Sequence, residues 1–132
     1  MIAAETKLWV TGPESERWFD AVRVMWSTEC EPEAFPSLGD VPLRKRNLRS
    51  PQPPSPEVIL WAGDQNGIHE LVQWLSVPSS PAGHRLYIAA GQWSDAERSV
   101  LQRFGVRLFV AELTDLIAIE HVVRDWSLRI SR

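Results

Sequence analysis

The chain is predicted to fold as a three-layer α/β sandwich, with a parallel sheet of four to five strands in the order 2-1-3-4-5 between layers of helix. Three observations carry that prediction. First, Leu8-Trp9-Val10-Thr11-Gly12, Val58-Ile59-Leu60-Trp61-Ala62-Gly63 and Leu86-Tyr87-Ile88-Ala89-Ala90-Gly91 are apolar runs that each close on a small residue and a glycine. Second, Val58–Ala62 is apolar without interruption, as a strand buried on both faces requires. Third, strand-like runs alternate with helical stripes, and parallel neighbours need crossover helices of right-handed sense.

The first strand spans residues 7–11. Gly12-Pro13 opens a helix, because proline at the first helical position loses no hydrogen bond. Glu14 and Glu16 favour the positive end of its dipole, and Trp18, Phe19, Val22, Met25 and Trp26 fall on one face. Residues 28–56 form a Pro-rich irregular segment within one domain spanning 1–132. Seven of the ten prolines lie between Pro32 and Pro56. Its first half is acidic, its second half basic, and a short strand is expected through Glu31–Phe35.

After the Val58–Ala62 strand, Gly63-Asp64-Gln65-Asn66-Gly67 reads as a turn, and Ile68, Leu71, Val72 and Leu75 as a helix stopped near Pro78. Arg85–Ala90 is the next strand. Ser94-Asp95-Ala96-Glu97 is a capping box, with Val100, Leu101 and Phe104 as the expected buried stripe and Gly105 at the helix end. Val106–Ala111 is the last strand. Thr114 is expected to cap a final helix whose core stripe is Leu116, Ile119, Val123, Trp126 and Ile130.

Composition narrows the function classes. The 132 residues are 44% hydrophobic and 23% charged with net charge −3, a soluble globular composition without a global basic field for nucleic acid or anionic lipid. Cys30 is alone, which fits a reducing compartment. Neither a membrane span nor a signal peptide is visible, so a cytoplasmic location is expected. His69, His84 and His121 are too scattered for a metal site, and neither Gly-x-Gly-x-x-Gly nor Walker A is present, so no cofactor is expected. The basic run Arg44-Lys45-Arg46-Asn47-Leu48-Arg49 has no interleaved aromatics for base stacking, which favours a solvated loop over nucleic-acid binding. The seven tryptophans are read as core residues; the sharper reading makes Trp93 an exposed contact.

From Pro56 to Trp126 the chain resembles a response-regulator receiver domain, a CheY-like member of the flavodoxin-like folds. Pro56 through Ala62 stands where receivers run into the phosphoacceptor aspartate. Leu86–Ala90 stands where a strand ends in Thr or Ser. Phe104-Gly105-Val106 resembles the Ala-Gly-Ala turn, and Glu112-Leu113 stands at the Lys-Pro position. The departures fall on the reactive positions. Thr11 and Gly12 replace the metal-binding acids, Ala62 the phosphoacceptor, Ala90 the hydroxyl, and Glu112 the lysine. Phosphoryl transfer needs the metal and a cation to neutralise developing charge, so the resemblance implies a degenerate pseudo-receiver without catalysis at that site. Asp64, two residues beyond the expected position, is the alternative acceptor under a shifted alignment.

Three functional readings follow. The first is a non-enzymatic regulatory module that binds a protein partner or forms a homodimer. In receivers such contacts use the last helix and its neighbours, which here implies Arg103, Arg107, Ile117, His121 and Leu128. The second is a small-ligand domain using the strand-end crevice of Gly12, Gly63, Asp64, Gly91 and Trp93, with helix N-termini nearby. The third is an enzyme of unfamiliar type.

Overall fold

The computed structural model describes residues 2, 6–26, 31–41, 56–76 and 85–130. Its elements run β1 (Lys7–Thr11), α1 (Ser15–Met25), β2 (Glu33–Phe35), a 3₁₀ turn (Leu38–Asp40), β3 (Glu57–Ala62), a 3₁₀ turn (Gln65–Gly67), α2 (Ile68–Ser76), β4 (Arg85–Ala90), α3 (Asp95–Arg103), β5 (Val106–Val110) and α4 (Asp115–Ile130). The five strands form one all-parallel sheet in the order β2-β1-β3-β4-β5, the flavodoxin-like three-layer sandwich expected from the sequence.

Strand alternation sorts side chains onto two faces. On the first, Leu8 and Val10, Val58, Leu60 and Ala62, Leu86, Ile88 and Ala90, and Val110 join Trp18, Val22 and Trp26 of the α1 region and Leu116 and Val123 of α4. The Trp26 indole N–H donates to the Leu116 carbonyl at 2.7 Å, tying the end of α1 to the start of α4. On the second face, Trp61, Ala89 and Val106 pack with Leu38, Leu71, Trp93 and Leu101. Trp9, Ile59 and Val41 continue that side.

The edge strand β5 carries a register shift: Tyr87 pairs with Val106, yet Ile88 pairs with Leu108. Arg107 is the extra residue, and it is exposed. A bulge and a charge on an edge strand both discourage further strand pairing. The other edge, β2, is only three residues long.

Several details differ from the sequence reading. Pro13 precedes α1 rather than starting it. Gly12 turns through φ +107°, and the Ser15 amide donates to its carbonyl, so the helix begins at Ser15. The strand expected through 31–35 is shortened to Glu33–Phe35, and β5 ends at Val110. The α3 capping box forms in full, with both reciprocal hydrogen bonds. Of its expected stripe, however, only Leu101 is buried; Val100 and Phe104 are exposed. Thr114 does precede α4, but Asp115 closes that turn, its carboxylate accepting from the Ala111 and Glu112 amides at 3.0 and 2.9 Å. The basic run at 44–49, Cys30 and His84 lie outside the described residues. No helix among the described residues is long and apolar enough to cross a membrane.

Candidate functional site

In a parallel sheet the loops after the strands converge at the carboxyl edge. Here that edge is stitched together by backbone. The Glu14 amide donates to the Ala62 carbonyl at 3.1 Å, the Gly63 amide to Ala90 at 3.1 Å, and the Gly91 amide to Val110 at 2.8 Å. Each loop thus extends the parallel ladder by one rung and satisfies the last carbonyl of the neighbouring strand.

The glycines permit this close approach. A Cβ on Gly12 would stand 2.3 Å from the Ala62 carbonyl oxygen, and one on Gly91 2.2 Å from the Gly63 carbonyl oxygen. Both residues also have positive φ, +107° and +142°, which other residue types adopt only with strain. Gly63 and Gly67 have a different reason. A Cβ on either would fall within 3.0 Å of the Trp61 ring.

The residues that close β1, β3 and β4 gather at this edge, beside the β5–α4 turn. Thr11, Ala62 and Ala90 are fully buried, and Gly12 lies against Ala62. Glu112 is the exception: it is exposed in the β5–α4 turn, and its amide is held by Asp115. Two amides that could have faced an incoming anion are therefore occupied by a side chain of the protein itself.

The crevice residues divide. Gly12, Gly63 and Gly91 are buried, whereas Asp64 is exposed, and its carboxylate accepts from the Asn66 amide at 3.0 Å as the cap of a 3₁₀ turn. Trp93 is not the exposed contact of the sharper sequence reading. It is 8% exposed and packs on Trp61, with ring centroids 5.6 Å apart at 37°. Packing the two tilted rings against each other buries both from water. The Thr11 hydroxyl and the Trp93 indole N–H are buried with no hydrogen-bond partner among the described residues.

The second candidate surface is the outward side of α4. Ile117 is 61% exposed, and Val122 and Leu128 are each 40% exposed. His121, Val122, Asp125, Leu128 and Arg129 line a groove of about 530 Å³. The structure thus brings His121 and Leu128 together, with Ile117 one turn before His121. Arg103 and Arg107 are exposed on α3 and β5 and do not line the groove. The sequence reading missed Val122, Asp125 and Arg129. They lie three and four residues apart on one side of the helix, but the sequence carries no signal that this side lines a groove.

Among the described residues no group of three or more His, Cys, Asp or Glu could hold a metal ion. No protein-family model matches the sequence, and no curated protein matches it.

Proposed function

We propose that the chain is a non-catalytic, receiver-like regulatory module that acts through protein contacts made by α4. One contrast carries the reading. The strand carboxyl ends present buried Thr11, Ala62 and Ala90 under closely packed loops, while apolar side chains of α4 face solvent. Single exposed apolar residues are ordinary, but three along one helix beside a groove mark a contact surface. The receiver resemblance agrees, because its phosphoacceptor, hydroxyl and lysine positions hold Ala62, Ala90 and Glu112.

Incubation with Mg²⁺ and a small acyl phosphate, followed by intact-mass measurement, tests the non-catalytic part. No phosphoryl adduct is expected. An adduct that disappears in Asp64→Ala would overturn the reading and make Asp64 the acceptor.

A small-ligand site at the strand ends is the second reading. The unpartnered Thr11 hydroxyl and Trp93 indole N–H favour it, since buried polar groups ordinarily have partners. It requires a ligand-dependent rise in melting temperature that Thr11→Val abolishes.

A further inference from the structure

We draw no further inference here: the strongest candidate, the buried Thr11 hydroxyl and Trp93 indole N–H at the carboxyl edge of the sheet, belongs to the small-ligand site already described, and nothing in the structure shows what class of ligand would fill it.

Discussion

The two faces of the sheet are built from different materials. Beneath α1 and α4 the strands contribute Leu8, Val10, Val58, Leu60, Leu86, Ile88 and Val110, an almost wholly aliphatic surface. Beneath α2 and α3 they contribute Trp9, Trp61, Tyr87 and Phe109, together with the Glu57–Arg85 pair. The helices differ in the same sense. α1 and α4 bury Trp18, Val22, Leu116 and Val123, whereas α2 and α3 bury one residue each, Leu71 and Leu101. The first face is held by area. The second relies on a few specific contacts: two ring pairs, an ion pair, and glycines fitted against an indole.

That ion pair is unusual in its setting. Glu57 and Arg85 are register partners at the start of β3 and β4, and their side chains are almost entirely buried. Arg85 Nε donates to Glu57 Oε1 at 3.1 Å. Burial pulls the Arg85 pKa down, but hydrogen bonds to Glu57 and Tyr87 outweigh it, so the guanidinium is held charged above its ordinary range. Tyr87 in turn meets Trp74 edge-on at 5.7 Å. Charge and aromatic packing are thus linked along one face, from Glu57 to α2.

The contrast can be broken at graded cost. Trp18→Ala on the aliphatic face removes a fully buried ring. It should cost about 3–5 kcal/mol in denaturant unfolding, because the close-packed surroundings cannot collapse into the hole. Glu57→Gln on the other face leaves a buried guanidinium without its counter-charge and should cost about 3 kcal/mol. The sign of the pH dependence follows from Arg85. A raised folded-state pKa gives stability that is complete below the unfolded value and lost only as pH climbs past the folded one. The deficit of Glu57→Gln should therefore be constant through neutral pH, and a deficit that changes between weakly acid and weakly alkaline buffer would contradict the assignment.

A smaller effect sharpens the claim that rings and glycines are fitted to one another. Gly67→Ala places a methyl 2.8 Å from Trp61 and should cost about 1–2 kcal/mol. In a Trp61→Leu background the same substitution should cost almost nothing. The resulting double-mutant cycle should show coupling of about 1 kcal/mol or more, and additive effects would mean that the ring yields. The smallest effect is expected at Val100, which sequence periodicity placed in the core. Val100→Ser should change stability by less than about 0.5 kcal/mol, since the residue is exposed on α3.

Legibility followed how local each feature is. Strands β1, β3 and β4 were readable within a residue or so, because unbroken apolar runs have few alternatives in a domain of this size. The Ser94–Glu97 capping box was readable because both of its hydrogen bonds are local. Asp115 was passed over in favour of Thr114. Either residue type suits a helix start, and which carboxylate or hydroxyl reaches the amides depends on how the chain leaves β5. The α4 surface was partly legible, through Ile117, His121 and Leu128. Asp125 and Arg129 were not, since charged residues on a helix are expected to face water whether or not they line a groove.

The sequence by itself determined the layers, the strand order and the small or uncharged residues that close three of the strands, Thr11, Ala62 and Ala90. Those follow from local periodicity and residue identity. Tertiary structure alone decided that Trp93 lies on Trp61, that Glu57 meets Arg85, that Gly12 touches Ala62, and that the side of α4 carrying Ile117, His121 and Leu128 looks outward. Each of these joins or separates residues distant in the chain. Local pattern fixes which side of an element is apolar, but only packing of the whole sheet fixes which neighbour that side meets.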